Sequence, residues 1–291
     1  MKVDKILERD AKMAILNPRE TDGYIWFDEA EAAAAGAALA ETYQNAQPFP
    51  HIAMDDFLPA DFLRGLLPEF PDNASNSYFD RDQERYKYQT PPHDIPGRRL
   101  RNLVIELNSP AVLKFLEAMT GIPGLIADPY YVGGGLHETL KGGHLGVHAD
   151  FNIHKGMNVE RRLNLLVYLN DDWLPEYGGD LELWDQKMET RWHRIAPVIG
   201  RAVVFNTSLD SYHGQPEPLS CPDGRSRKSI ATYYYTANEA GVGALPDRTT
   251  VFKSRPGTGD QEDRRVQFDH LLRDWVPPRL YRYAAKLNRF K

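Results

Sequence analysis

Eight short strand-like runs follow one another between residues 125 and 236, and no helical pattern separates them. Gly, Pro and Asp occur in the short intervals between the runs. The runs are PYYVGGGLHET, HLGVHAD, RRLNLLVYLN, GDLELW, WHRIAPV, RAVVFN, YHGQPEPL and SIATYYYT. Strands at such close spacing, without helices between them, predict an all-β sandwich or barrel.

Helical patterns flank this β unit. Residues 28–46 are rich in alanine, 60–70 place four apolar side chains on one face, and Ser109-Pro110 is typical of a helix start. After residue 263 the periodicity is again helical, broken at Pro277-Pro278. We therefore expect a single domain over 1–291, with helices covering one outer face of the β unit. Its parts are an N-terminal support (1–124), including a strand in 48–58, a β core (125–236) and a C-terminal helical extension (237–291).

The run RLNLLVYLN predicts a strand with one face covered by other elements and one face open. Leu163, Leu165, Val167 and Leu169 alternate with Arg162, Asn164, Leu166 and Tyr168. If the first set packs against the helices, the second set faces a half-polar interior. Such an interior is expected to hold a ligand or water.

Residues 71–99 are polar, rich in Asp, Asn and Pro, and contain Tyr78, Phe79, Tyr86 and Tyr88. A loop of this length is uncommon inside a domain and, when ordered, is often a lid or a binding loop. This segment is where substrate recognition is expected. The alternative is a mobile surface loop.

The net charge of −6 and the pI near 5.9 argue against a protein that coats nucleic acid. The single cysteine, Cys221, and a charged N-terminal stretch without the pattern of a signal peptide favour a cytoplasmic protein. No apolar run is long enough for a transmembrane segment. The basic segment 279–291 predicts an amphipathic helix that docks on its own domain. It could also bind an acidic partner or a membrane surface, and the C-terminal helices could form an oligomer interface.

Of nine histidines, only His148 has an aspartate two residues later, Asp150. On a strand, residues i and i+2 project from the same face, so both side chains can reach one point. His213 lies in a later strand-like run and completes a set of two imidazoles and one carboxylate. This set suits non-haem iron(II), because about three coordination positions remain open. The alternative for an isolated His-x-Asp is a surface pair without a metal.

A second pair at i and i+2, Arg227 and Ser229, follows His213. A guanidinium binds a carboxylate in a bidentate manner, and a neighbouring hydroxyl adds a hydrogen bond. The alternative is an exposed arginine on a strand. We expect Arg227, rather than Arg225, to point inward.

His148-x-Asp150, His213 and Arg227-x-Ser229 together resemble the 2-oxoglutarate/Fe(II)-dependent dioxygenase superfamily. The segment RRLNLLVYLNDDWLPEYGGDLELWD is similar to its prolyl-hydroxylase-like branch. The resemblance implies a double-stranded β-helix (jelly roll) with Fe(II) on His148, Asp150 and His213. It also implies that 2-oxoglutarate, consumed with O₂, binds Arg227, Ser229 and Tyr168. The segment 133–146 is longer than usual in this family and adds His137 and His144, which either line the pocket or cap loops.

The resemblance implies a hydroxylase that releases succinate and CO₂. Its substrate is a prolyl residue, another amino acid or a small molecule, and no nucleic acid is expected. The alternatives are a jelly-roll metal-dependent hydrolase or isomerase and a non-catalytic, cupin-like binding module. Further residues are predicted for the substrate pocket, each with a structural role in the β core as the alternative: Tyr131, His137, Asn152, Arg162, Asn164 and Tyr233.

Overall fold

The computed structural model describes residues 14–72, 77–208, 210–238 and 249–260. Its helices are α1 (Glu29–Gln44), α2 (Ala60–Arg64), α3 (Arg98–Glu106) and α4 (Pro110–Thr120). Its strands are β1 (Arg19–Thr21), β2 (Tyr24–Trp26), β3 (His51–Met54), β4 (Ser77–Arg81), β5 (Glu84–Thr90), β6 (Ile126–Ala127), β7 (Gly135–Ala149), β8 (Ile153–His154), β9 (Val159–Tyr168), β10 (Leu181–Trp184), β11 (Arg191–Ile195), β12 (Ala202–Asn206), β13 (His213–Gln215), β14 (Ser226–Ala237) and β15 (Val251–Phe252).

Thirteen of these strands form one antiparallel network with the order β11-β10-β13-β7-β14-β9-β12-β3. The short strands β6, β8 and β15 pair with β14, β9 and β7, and β1 and β2 form a separate hairpin. The network is a nearly closed, jelly-roll-like sheet, as the closely spaced runs predict.

Strand β7 is the element that joins the two halves of this sheet. Its first half pairs with β14, where Leu136 lies opposite Ile230, and its second half pairs with β13, where His148 lies opposite His213. Two of the predicted runs are thus one strand of 15 residues. The supposed insertion at 133–146 is mostly the first part of that strand, with a bend at Gly142 (φ 77°).

The helices cover one face of the sheet. Leu163, Leu165, Val167 and Leu169 of β9 are buried in the same cluster as apolar side chains of α3 and α4, which confirms the predicted covered face. Helix α4 begins as predicted, with Ser109 Oγ accepting a hydrogen bond from the Val112 amide at 3.4 Å.

Helices α1 and α4 make an especially close contact. A Cβ atom on Gly36 of α1 would lie 2.1 Å from the carbonyl oxygen of Phe115. The two backbones can approach this closely only because residue 36 has no side chain.

The prediction of a long loop at 71–99 is wrong for most of that segment. Strands β4 and β5 form a hairpin, and β5 continues the main sheet by pairing with β7 from Glu84 to Thr90. The polar composition of the segment resembles that of a loop. Many of its polar residues nevertheless lie next to aromatic ones along these strands, which fits a half-exposed hairpin.

A β-bulge in β9 changes which of its side chains face inward. Tyr234 lies opposite Leu163, but the next residue, Tyr235, lies opposite Arg161, so Arg162 is the extra residue. The bulge shifts the alternation by one position. Arg161 is therefore buried on the open face together with Asn164.

No helix among the described residues is long and apolar enough to cross a membrane. The predicted C-terminal helices and the basic segment 279–291 lie outside the described residues.

Candidate metal and cosubstrate site

The open face of the sheet encloses a cavity of about 440 Å³, within the range typical of small-molecule sites. Strands β7, β9, β13 and β14 contribute to its wall, and the β4–β5 hairpin closes one side. It lies on the face of β9 opposite the helices, where the half-polar interior was predicted.

His148, Asp150 and His213 converge in this cavity. Asp150 Oδ1 lies 3.6 Å from His148 Nε2, and Asp150 Oδ2 lies 3.5 Å from His213 Nε2. One ligand atom from each of the three residues lies within 4.8 Å of the others. Pairing of β7 with β13 brings His213 beside His148 although 65 residues separate them in the sequence.

Both imidazoles are held with Nε2 toward the cluster. Nδ1 of His148 donates to the carbonyl of Gly146 at 2.8 Å, and Nδ1 of His213 donates to the carbonyl of Ser211 at 3.0 Å. These bonds leave the lone pair of each Nε2 available, the usual arrangement of a metal-binding histidine. Burial, together with the neighbouring His148, lowers the pKa of His213 to about 4, so this ring is neutral near pH 7.

Asp150 is charged in spite of its surroundings. Burial would raise the pKa of the carboxyl, but Arg161, His213 and His148 outweigh it and hold the pKa well below its usual range. Two imidazoles and one carboxylate are the donor set of a non-haem Fe(II) site, so the residues present fit this metal.

Arg227 is 8% exposed and lines the same cavity. Its Nε donates to the carbonyl of Gly179 at 2.8 Å, and Nη2 lies 3.5 Å from the Tyr168 hydroxyl. Burial lowers the pKa of this guanidinium, and among the described residues none forms an ion pair with it. Asp180 attracts this guanidinium but is itself paired with Arg194 at 2.9 Å, so Arg227 can bind the carboxylate of a ligand.

Three of the six residues predicted for the substrate pocket line the cavity: His137, Asn164 and Tyr233. Of the residues predicted to bind the cosubstrate with Arg227, Ser229 lines the cavity and Tyr168 does not. Burial and the nearby Lys87 hold the pKa of His137 well below its usual range, and its Nε2 donates to the Gly133 carbonyl at 2.9 Å. His144 lies outside the cavity, where its Nε2 donates to the Asp82 carbonyl at 3.1 Å.

Three predicted pocket residues lie elsewhere. Tyr131 donates to the Val104 carbonyl of α3 at 3.2 Å, and Arg162 donates to Thr236 at 3.3 Å. Neither they nor Asn152 line the cavity. Arg162 lies outside the cavity because the bulge in β9 shifts the alternation of its side chains. Asn152 lies outside it because strand β7 ends at Ala149, so the alternation does not continue to this residue.

Several residues that line the cavity were not predicted. Arg161 is displaced inward by the bulge, and Phe252 of β15 packs beside His148 with ring centroids 5.3 Å apart. The hairpin adds a charged wall that the prediction of a loop missed, and regular alternation along β5 does not reveal it, because the pairing with β7 shifts between Arg85 and Lys87. That wall consists of Phe79, Arg81, Glu84, Lys87 and Gln89.

Residues 134–235 match the family model of the 2OG-Fe(II) oxygenase superfamily. A prolyl-4-hydroxylase from Pseudomonas putida is 18% identical, with a TM-score of 0.50 over 69% of this chain and 98% of that chain. A prolyl hydroxylase from Trichoplax adhaerens, solved with a peptide of hypoxia inducible factor, is 16% identical. Its TM-score is 0.52 over 71% of this chain and 91% of that chain. No curated protein sequence matches the chain.

These comparisons confirm three predictions. The family match bears out the resemblance inferred from the motifs, and with it a dioxygenase that uses Fe(II) and 2-oxoglutarate. The similarity to the two solved structures confirms the double-stranded β-helix fold.

Proposed function

We propose that this chain, an Fe(II)- and 2-oxoglutarate-dependent oxygenase, hydroxylates a carbon atom of its substrate and releases succinate and CO₂. One observation carries the proposal. The three candidate metal ligands and the buried guanidinium of Arg227, which forms no ion pair with a described residue, face a single cavity. A metal site alone fits many enzymes, whereas a cation placed for a second carboxylate fits a dicarboxylate cosubstrate.

In this proposal His148, Asp150 and His213 hold Fe(II), which when bound supplies the oxidising chemistry with O₂ and 2-oxoglutarate. Arg227 binds the carboxylate of 2-oxoglutarate that lies farther from the metal. Ser229 lies directly across from Tyr168 in the β9–β14 ladder and lines the cavity, while the Tyr168 hydroxyl lies 3.5 Å from Arg227 Nη2 and orients the guanidinium. The burial of Arg227 excludes water, which strengthens its pairing with the cosubstrate.

The substrate is proposed to enter against the β4–β5 hairpin. Arg81, Glu84 and Lys87 give this wall both signs of charge, and Glu84 and Lys87 pair at 2.8 Å. A charged wall beside the metal site favours a polar substrate, such as a free amino acid, a small metabolite or a residue of a protein. A prolyl residue is one candidate, since both solved relatives are prolyl hydroxylases.

Arg227 distinguishes the proposed oxygenase from two alternative functions. A jelly-roll hydrolase or isomerase would bind a metal without 2-oxoglutarate, and a cupin-like module would bind a ligand without turnover. Neither function requires the buried guanidinium of Arg227, which has no ion pair among the described residues and whose burial costs free energy in the absence of a ligand.

The test is succinate formation by anaerobically purified protein that is given Fe(II), 2-oxoglutarate and then O₂. His148→Ala and Arg227→Ala should abolish even the slow turnover that occurs without substrate. His193→Ala and Arg225→Ala are matched controls, because neither side chain lines the cavity.

Binding of 2-oxoglutarate in the presence of an inert metal is measured on the same samples. Binding that is lost in Arg227→Ala but kept in Arg225→Ala supports the proposal even if turnover requires the substrate. The absence of both turnover and binding in the wild type would refute it.

A further inference from the structure

Lys87 and Arg227 lie in one row across three neighbouring strands. Thr139 of β7 pairs with Arg227 of β14 on one edge and with Lys87 of β5 on the other. All three residues line the cavity. Since neighbouring strands are about 4.8 Å apart, the two cationic side chains start from backbone positions roughly 10 Å apart. The side chain of Thr139 between them is short, so the two long side chains can reach a common point.

A shared neighbour shows that both charges act at the same end of the cavity. His137 lies two residues before Thr139 on β7 and lines the cavity. Burial is the largest cause of its low pKa, and Lys87 is the next. Arg227 and Arg161 lower the pKa of this imidazole further. Positive charge is therefore concentrated around a neutral ring, at the end of the cavity where Arg227 lies.

Lys87 is held in its position by Glu84. Its Nζ donates to Glu84 Oε1 at 2.8 Å and lies 5.7 Å from the centre of the Phe79 ring. Residues three apart on a regular strand face opposite sides, but the pairing of β5 with β7 shifts between Arg85 and Lys87, so both partners face the cavity. The pair uses one of the three N–H donors of the ammonium. Among the residues that the structure describes, the other two donors have no acceptor.

We propose that Lys87 is a second cationic anchor for 2-oxoglutarate and binds, together with Arg227, the carboxylate that lies farther from the metal. The inference rests on the proposed function, in which Arg227 binds this carboxylate. A carboxylate accepts up to about four hydrogen bonds, and Nε of Arg227 is already used by the Gly179 carbonyl. The guanidinium therefore leaves acceptor sites for a second donor. Glu84 is a positioning residue, which holds Lys87 in the absence of the cosubstrate and competes for its ammonium afterwards.

The test is calorimetric titration of the Mn(II)-loaded protein, without O₂, with two ligands. 2-Oxovalerate has a methyl group in place of the second carboxylate of 2-oxoglutarate, so comparing the two affinities isolates that carboxylate. Wild type, Lys87→Met, Glu84→Gln and Lys141→Met are compared. Lys141→Met is the matched control, because Lys141 also forms an ion pair of 2.8 Å, with Asp223, but lies outside the cavity. Circular dichroism shows whether each variant is folded.

We expect Lys87→Met to weaken the binding of 2-oxoglutarate by about 10–100-fold, the range of one hydrogen bond to a charged group. Its affinity for 2-oxovalerate should be nearly unchanged. Glu84→Gln should strengthen the binding of 2-oxoglutarate by about 2–5-fold, because the ammonium is no longer shared with a second carboxylate. Lys141→Met should match the wild type with both ligands. An ion pair that only supports the hairpin would not give opposite effects for its two members.

Unchanged affinity for 2-oxoglutarate in Lys87→Met, or in Glu84→Gln if that variant alone is folded, would overturn the inference. An equal loss for both ligands in Lys87→Met would also overturn it, as would a loss in Glu84→Gln similar to that in Lys87→Met. These results leave the proposed function intact, provided that Arg227→Ala loses affinity for 2-oxoglutarate. An Arg227→Ala protein that binds 2-oxoglutarate as the wild type does would refute the proposed function itself.

Discussion

The carbonyl of Gly179 accepts a hydrogen bond of 2.8 Å from Nε of Arg227, and the two residues are in contact along the arginine side chain. A Cβ atom on Gly179 would lie 3.0 Å from Arg227 Cδ and 2.7 Å from Leu219 Cδ2. The second glycine of the Gly178-Gly179 turn therefore helps to determine where the guanidinium lies.

Gly179→Ala should weaken the binding of 2-oxoglutarate, because the new methyl group displaces Arg227. Gly178→Ala is the matched control. Both glycines have positive φ, 70° and 81°, so both substitutions add backbone strain, and the control is strained at least as much because ψ of Gly178 is −151°, in a region that essentially only glycine adopts. Only at position 179 does the methyl group contact Arg227, since at 178 the nearest atom is 3.9 Å away. Calorimetric titration with 2-oxoglutarate should show a much larger loss for Gly179→Ala. Equal losses in the two variants would mean that strain alone accounts for the effect.

Tyr168→Phe should weaken 2-oxoglutarate binding by about five-fold, the value of one ordinary hydrogen bond. The hydroxyl of Tyr168 lies 3.5 Å from Arg227 Nη2 and is fully buried. The measurement is the KM for 2-oxoglutarate beside kcat, and we expect KM to rise with kcat nearly unchanged. A loss confined to kcat would show that Tyr168 acts on the reaction rather than on cosubstrate binding.

The metal-free protein should lose stability as the pH falls from about 6.5 toward 4. Burial depresses the pKa of His213 to about 4, below the value near 6.5 of an unfolded chain. Between these values the unfolded state binds a proton that the folded state does not, so low pH favours unfolding. The contribution of His213 is present above pH 6.5 and is lost by up to about 3 kcal/mol on acidification.

Urea unfolding of the metal-free wild type and of His213→Gln tests this assignment. The variant should show a flatter dependence of the free energy of unfolding on pH between 7 and 4.5. Identical slopes would assign the acid sensitivity to another group. His137 is the first to examine, because its depressed pKa has the same sign.

Gly36→Ala should destabilise the protein by about 1–3 kcal/mol, the usual cost of overpacking a well-packed contact. The new Cβ would meet the Phe115 carbonyl at 2.1 Å, so α1 and α4 must move apart. Gly65→Ala at the end of α2 is the control, because its nearest atom is 3.3 Å away and its φ is −64°. Thermal melts should separate the two variants, and equal melting temperatures would show that the helices yield without cost.

The residues of the site that the sequence revealed are those placed by strand geometry alone. His148 and Asp150 lie two residues apart, as do Arg227 and Ser229, so each pair shares a face whatever the rest of the fold. The covered face of β9 was predictable for the same reason. His213 required more than geometry, because its position beside His148 depends on which strands pair, and the resemblance to a family supplied that information.

What escaped prediction depends on departures from regular strands. Alternation along β9 indicated Arg162, but the bulge places Arg161 in the cavity. A bulge has no reliable signal in a single sequence, because any residue type can occupy the extra position. The β4–β5 hairpin was interpreted as a loop, because Asp, Asn and Pro flank its short strands. Its pairing with β7 is a tertiary interaction that local composition does not encode.

The pairing of β5 with β7 has a thermodynamic consequence for whatever molecule the enzyme oxidises. Backbone hydrogen bonds from Glu84 to Thr90 fix the charged wall to the strand that carries His148. A recognition surface that is ordered in advance spares its ligand the entropic penalty of arranging a loop. Association should therefore proceed with a small unfavourable entropy and little change in the hairpin's amide exchange, so that selectivity arises from contacts and not from closure.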